Sequence, residues 1–118
     1  MVGIILYVED DPQIVYDAEI GLRRDFPRHE VEVCERVPDA IERVKSRISN
    51  LEIVCTDGSI CEHNGWQLAQ QLKDLGYKGP ILYTGITDIP EEFKNLFNDT
   101  ASKSGPTLTQ KIKQYLGK

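Results

Sequence analysis

The 118-residue chain predicts an α/β fold: one doubly wound, five-stranded parallel sheet with helices on both faces. Short apolar runs alternate with longer segments of helical periodicity five times over, the pattern of successive strand–helix–strand units. Gly and Pro repeatedly interrupt the chain where one kind of segment gives way to the other. No linker, low-complexity stretch or internal repeat divides it, so residues 1–118 are expected to form a single domain, long enough for one core.

Gly3 to Val8 is a continuous apolar run, the first strand, and it ends on three consecutive acids, Glu9, Asp10 and Asp11. Pro12 follows, at the place where the first turn of a helix tolerates a missing N–H. Ile14, Ala18, Leu22 and Phe26 then recur every four residues, with Arg23, Arg24 and Asp25 opposite: a helix with one buried stripe, stopped by Pro27. Val31 and Val33, alternating with Glu32 and Cys34, predict a second strand. Val37, Ala40, Ile41, Val44, Ile48 and Leu51 predict the second helix, with Pro38 and Asp39 in its first turn.

Ile53 to Thr56 is the third apolar run; it delivers Asp57 and breaks at Gly58 and Gly65. Leu68, Ala69, Leu72 and Leu75 predict a third helix, with Trp66 packed at its start and Gly76 and Gly79 closing it. Pro80 to Gly85 is the fourth strand and ends on Thr84. Ile89, Phe93, Leu96 and Phe97 have helical spacing and predict a short fourth helix, with Asp88 as N-cap and Glu91 and Glu92 at the positive end of its dipole. Thr100 to Ser102 is the fifth strand. Leu108, Ile112, Tyr115 and Leu116 predict the last helix.

The net charge of −5 and the lack of a Lys/Arg cluster argue against direct nucleic-acid binding, which needs concentrated positive charge. No apolar run approaches the ~20 residues that span a bilayer. Met1 leads almost directly into the first strand without a basic leader region, so no signal peptide, no membrane insertion and a cytoplasmic location are expected. Three cysteines in no C-x-x-C pattern fit a reducing compartment, with Cys34 and Cys55 buried and Cys61 in the loop after Asp57. His29 and His63 read as loop surface residues.

The carboxyl ends of parallel strands share one edge of a sheet, where ligands of open α/β folds bind. That edge would gather Glu9 and Asp10, Asp57, Thr84 and, after the fifth strand, Lys103. Crowded carboxylates are best relieved by a hard divalent cation such as Mg²⁺. An ionised aspartate such as Asp57 can attack phosphorus, and a hydroxyl and an ammonium can stabilise the phosphoryl oxygens. Taken singly, Asp57 also reads as a turn residue or helix cap, Thr84 as an ordinary strand end, and Asp11 as a first-turn acid of its helix.

Together these residues resemble the receiver domain of two-component response regulators, over essentially the whole chain. The resemblance rests on the acidic pair within ILYVEDDP, Asp57 after the third strand, Gly65 eight residues on, Thr84 with Gly85 after the fourth strand, and Lys103 after the fifth. It implies a flavodoxin-like sheet of strand order 2-1-3-4-5 and phosphorylation of Asp57 by a histidine kinase or phosphotransfer protein. It implies a Mg²⁺ site formed by Glu9, Asp10, Asp57 and the backbone carbonyl of Ser59, with Asp10 favoured over Glu9 as direct ligand. Thr84 would be the switch hydroxyl and Lys103 the partner of the phosphate. The chain would be a signalling protein that assists its own modification, not a metabolic enzyme, with a downstream protein partner.

Several features depart from the family's pattern. Cys61 stands where proline is common, Asn64 where an acid is common, and Ser104 and Gly105 intervene between Lys103 and Pro106. Thr100 occupies the place of a tyrosine or phenylalanine whose ring turns inward on activation. The signal is therefore expected to leave through the region Ile89 to Phe97 or through the loop after Asp57. Two other readings use the same residues: a receiver-like scaffold without phosphoryl transfer, and a phosphohydrolase resembling the haloacid dehalogenases. The second lacks its acid-base residue, since Ser59 stands where an acid is needed.

Overall fold

The computed structural model describes residues 2–60, 63–85, 88–103 and 105–117. Its centre is an all-parallel sheet of β1 (Ile4–Val8), β2 (Glu30–Cys34), β3 (Leu51–Thr56), β4 (Ile81–Tyr83) and β5 (Asp99–Thr100), in the order β2-β1-β3-β4-β5. The α-helices are α1 (Pro12–Asp25), α2 (Val37–Val44), α3 (Gly65–Asp74) and α4 (Gly105–Leu116). Ser59–Ile60 and His63–Asn64 pair antiparallel as a small separate ribbon between β3 and α3.

β1 is buried on both faces, with no residue more than 1% exposed, which is why it reads as an unbroken apolar run. Alternation along it divides the core into two layers. Ile4, Leu6 and Val8, with Val54 and Ile81, pack under α2 and α3, against Ala40, Val44, Leu68 and Leu72. Ile5 and Tyr7, with Ile53, Cys55 and Leu82, pack under α1 and α4, against Ala18, Leu22, Leu108 and Ile112.

The strands finish level. Val8 lies opposite Cys34 and Thr56, Thr56 opposite Tyr83, and Tyr83 opposite Thr100. Whatever follows each of these residues therefore stands in one row on the carboxyl edge.

Both ends of α3 are closed locally. The Asn64 side chain accepts from the Gln67 N–H at 2.9 Å while Gln67 Oε1 accepts from the Asn64 N–H at 2.9 Å, a reciprocal box that satisfies two donors the helix cannot. At the other end Gly76, at φ +97°, lets its own N–H reach the Lys73 carbonyl and the Tyr77 N–H reach that of Leu72. Asn64→Ala is expected to cost about 1 kcal/mol, read as a lower urea midpoint; an unchanged midpoint would show that the box contributes nothing.

The structure departs from the sequence expectations at several places. α2 stops at Val44; Ile48–Asn50 is a single 3-10 turn, and Leu51, expected as the last apolar position of the helix, opens β3 opposite Ile4. The segment expected as a fourth helix is only 3-10 turns over Glu91–Leu96, entered through Pro90 with no side-chain cap, so Asp88 does not cap it. Its length explains this: the chain must return to the sheet by Asn98, whose N–H donates to the Ile81 carbonyl and whose side chain accepts from the Ile81 N–H. β5 comes one residue early, at Asp99–Thr100 rather than Thr100 to Ser102. Asp11 caps α1 from outside, its carboxylate accepting from the Gln13 N–H at 3.0 Å, and is not part of the first turn.

Trp66, expected at the start of α3, stacks on Phe93 with ring centroids 5.9 Å apart and thereby ties the 3-10 turns to that helix. His29 is not a plain loop residue: its ring meets Phe26 edge-on and its Nε2 lies 3.4 Å from Glu52. Cys34 and Cys55 are buried as expected, and burial pushes their thiols up to about 11 and about 12, so neither is ionised at neutral pH. Cys61 lies outside the described residues, as does the side chain of His63. Among the described residues no helix is long and apolar enough to cross a membrane.

Candidate functional site

Three strands hand a side chain to the carboxyl edge by one further ladder hydrogen bond each. The Glu9 N–H donates to Cys34 at 3.1 Å, the Asp57 N–H to Val8 at 3.1 Å and the Thr84 N–H to Thr56 at 2.9 Å. Glu9, Asp57 and Thr84 are consequently placed by the sheet itself. The turn beyond β3 is held by Gly65, whose N–H donates to the Gly58 carbonyl at 3.1 Å.

Carboxylate oxygens of Glu9, Asp10 and Asp57 lie within 4.8 Å of one another. Glu9 is 1% exposed, a burial rare for an acid without partners. Its partners are Lys103, whose Nζ lies 2.7 Å from Glu9 Oε1, and the Asp11 N–H, 3.1 Å from Glu9 Oε2. The same ammonium lies 3.1 Å from Asp57 Oδ2, while Asp57 Oδ1 accepts from the Gly58 N–H at 2.7 Å. Three carboxylates against one ammonium leave a surplus of negative charge.

Titration behaviour follows from that arrangement. Burial raises the Glu9 carboxyl above its ordinary value and the charge of Asp57 adds to this, against the lowering effect of Lys103 and the Asp11 N–H. For Lys103 burial works against the charge, yet hydrogen bonds to Glu9 and Asp57 outweigh it and hold the ammonium above its ordinary value. Lys103 is therefore charged at any physiological pH.

Thr84 Oγ1 is the buried side-chain polar atom that finds no hydrogen-bond partner among the described residues. A buried hydroxyl without a partner is costly, which marks a place where a ligand atom would restore what is lost. It stands beside the Tyr7 hydroxyl, but Tyr7 donates instead to the backbone carbonyl of Lys103, and burial raises its phenol well above the ordinary range. Tyr7 thus anchors the Lys103 backbone under the site. The sequence reading passed over this residue, although a phenol in the middle of an apolar strand must find a partner at its polar end.

Five of the residues singled out in the sequence come to this edge. Glu9, Asp10, Asp57 and Lys103 form a connected cluster, and Thr84 is on the neighbouring strand end. Ser59 lies two residues beyond Asp57 in the ribbon, where its backbone pairs with Asn64. Asp11 is committed to the α1 cap. Thr100, the position without an aromatic ring, is exposed on β5. An aromatic ring does reach the site, but from Tyr83, the last residue of β4, which is 3% exposed.

A cluster of this composition suits Mg²⁺, which accepts one or two carboxylates and keeps water or phosphate oxygens in its other positions. The three acids supply hard oxygen donors and the surplus charge such an ion would neutralise.

No protein-family model and no curated protein sequence matches the chain. Solved structures do. A CheY-like response regulator receiver domain from Methylobacillus flagellatus superposes with TM-score 0.75 at 17% identity, over 99% of this chain and 98% of that one. A response regulator receiver domain protein from Clostridium thermocellum gives TM-score 0.79 at 15% identity, covering 98% and 92%. A BeF3-activated DrrB receiver domain gives TM-score 0.77 at 17% identity over the full length of both chains. At such identities the likeness is one of fold: the chain has the flavodoxin-like architecture of response regulator receiver domains from end to end.

Proposed function

We propose that this chain is the phosphoacceptor domain of a two-component phosphorelay, modified on Asp57 by a histidine kinase or a phosphotransfer protein. The observation that carries the reading is the joint presence, on one sheet edge, of the three-carboxylate cluster, Lys103 bridging Glu9 and Asp57, and the unsatisfied Thr84 hydroxyl. Structural ion pairs alone do not account for a surplus of acids beside a buried hydroxyl that has no partner among the described residues.

In this mechanism an Asp57 carboxylate oxygen forms a bond to phosphorus as the donor's P–N or P–O bond breaks; the departing group keeps the bonding pair and takes up a proton. Lys103 and Thr84 donate to the phosphoryl oxygens, Lys103 exchanging part of its present contact with Asp57 for them. Asp10, Asp57, Glu9 and the Ser59 carbonyl would hold Mg²⁺, which supplies charge neutralisation for the acids and the phosphoryl group. The domain is then a signalling protein that assists its own modification and presents a changed surface to a downstream protein.

The test is intact-mass measurement after exposure to a small-molecule phosphodonor with Mg²⁺. A single phosphoryl adduct is expected on the native chain and none on Asp57→Asn. Absence of an adduct on the native chain would favour a scaffold that binds partners without phosphoryl transfer, and steady release of phosphate would favour a phosphohydrolase.

A further inference from the structure

We infer that the Tyr83 hydroxyl is a further donor to the group carried by Asp57, and that its ring passes the state of the site to the segment 88–98. The inference rests on Asp57 as the acceptor and adds a residue that the sequence reading gave no role.

The placement of the hydroxyl is defined by two glycines. A β-carbon on Gly58 would lie 2.2 Å from the Tyr83 hydroxyl oxygen; one on Gly85 would lie 2.5 Å from that oxygen and 2.8 Å from Asp57 Oδ1. The phenol and the Asp57 carboxylate thus flank the same small space above Gly85. Neither glycine has a left-handed backbone, since positive φ is confined to Gly76 and Gly105 among the described residues. What residues 58 and 85 require is room, and the group that uses the room is the phenol.

The chemistry of the space follows from its occupants. The oxygens of Asp57 already accept from the Gly58 N–H and from Lys103. A phosphoryl group added there brings three oxygens, for which Lys103 and Thr84 provide two side chains. A phenol at the rim of the carboxylate provides a third donor, and a hydrogen bond to an anionic oxygen is stronger than one between neutral groups.

The ring carries the consequence outward. Tyr83 meets Phe97 edge-on, ring centroids 5.3 Å apart at 61°, and Phe97 ends the 3-10 turns of Glu91–Leu96. A cavity of about 440 Å³ opens beside the pair, lined by Tyr83, Gly85, Asp88, Phe97 and Thr100 among others. With threonine at position 100 this space is not filled by a ring from β5, so Tyr83 has volume into which it can turn. A shift of its hydroxyl toward Asp57 would move the edge on which Phe97 rests.

Tyr83→Phe tests this while keeping the ring contact with Phe97. Beryllium fluoride with Mg²⁺ serves as the probe of anion binding, and the acyl phosphate formed from a small-molecule phosphodonor as the probe of lifetime. The variant is expected to bind beryllium fluoride about ten-fold more weakly, the size of one hydrogen bond to a charged group, and to lose its phosphoryl group faster, with Mg²⁺ affinity in the absence of fluoride unchanged. Phosphorylation still on Asp57, but with native affinity and lifetime, would overturn the inference and leave the acceptor assignment standing. No adduct on the native chain would overturn both. In native protein carrying ¹³C at tyrosine Cζ, the Tyr83 resonance is expected to shift on adding beryllium fluoride; a resonance that stays in place also overturns the role.

Discussion

Gly65→Ala is expected to destabilise the domain by about 3 kcal/mol, the upper end of the usual cost of overpacking, and to weaken Mg²⁺ binding, although residue 65 carries no chemical group. A β-carbon there would lie 2.2 Å from the Asp57 carbonyl oxygen, and 3.2 Å from both the Asp57 carbonyl carbon and Thr56 Oγ1. The obstruction is backbone, so no rotamer change relieves it. That carbonyl is further held by the Thr56 hydroxyl at 3.0 Å, and the turn above it by the bond from the Gly65 N–H to Gly58. Either the start of α3 moves outward, breaking its capping box, or the peptide after Asp57 rotates and carries the carboxylate out of the cluster. Urea unfolding measures the first loss, and Mg²⁺ titration followed by the fluorescence of the adjacent Trp66 measures the second. A variant with native midpoint and native Mg²⁺ response would show that the close approach is not structural.

Lys103→Met should have opposite effects on stability and on metal affinity. Without the ammonium, Glu9 is left 1% exposed beside Asp57 with the Asp11 N–H as its remaining partner among the described residues. Breaking a buried pair costs about 3–5 kcal/mol. Lys103 is 25% exposed, however, so solvent screens part of the interaction, and about 2 kcal/mol is the expected loss in metal-free protein. The ammonium and a divalent cation draw on the same carboxylates, so its removal is expected to tighten Mg²⁺ binding by roughly ten-fold, about 1.4 kcal/mol. Under the proposed function, phosphoryl transfer to Asp57 is expected to slow, because a side chain proposed to donate to the phosphoryl oxygens is gone. Calorimetric Mg²⁺ titration and urea unfolding with and without Mg²⁺ provide the comparison. Weaker Mg²⁺ binding in the variant would mean that Lys103 does not compete with the metal.

The difference between what could be read from the chain and what could not has a physical pattern. β1 and β3 were legible because central parallel strands are covered on both faces, which forces continuous apolar runs such as Ile4 to Val8. The candidate site was legible for the same reason: Glu9, Asp57 and Thr84 each follow such a run directly. Helix ends were less legible, since periodicity reports which side of a segment is apolar and not whether its backbone groups find helical partners. Ile48 and Leu51 kept the period of α2, yet Leu51 pairs with Ile4 in the sheet. Ile89 to Phe97 kept it too, but the obligation of Asn98 to bond Ile81 leaves only 3-10 turns there.

By itself the sequence determined the class of fold, the edge on which chemistry would gather, and the residue types available there: three acids, a hydroxyl and an ammonium. Only the tertiary structure decided their connections. It placed Lys103 between Glu9 and Asp57, fixed the Lys103 backbone by the Tyr7 hydroxyl, left Thr84 Oγ1 without a partner among the described residues, and brought the Tyr83 phenol over Gly58 and Gly85. The reason is one of range. Apolar patterning is local and set by the repeat of strand or helix, whereas these contacts, apart from that of Tyr83 with Gly85, join residues far apart in the chain, at distances set by strand register and by how closely two glycines let a ring approach.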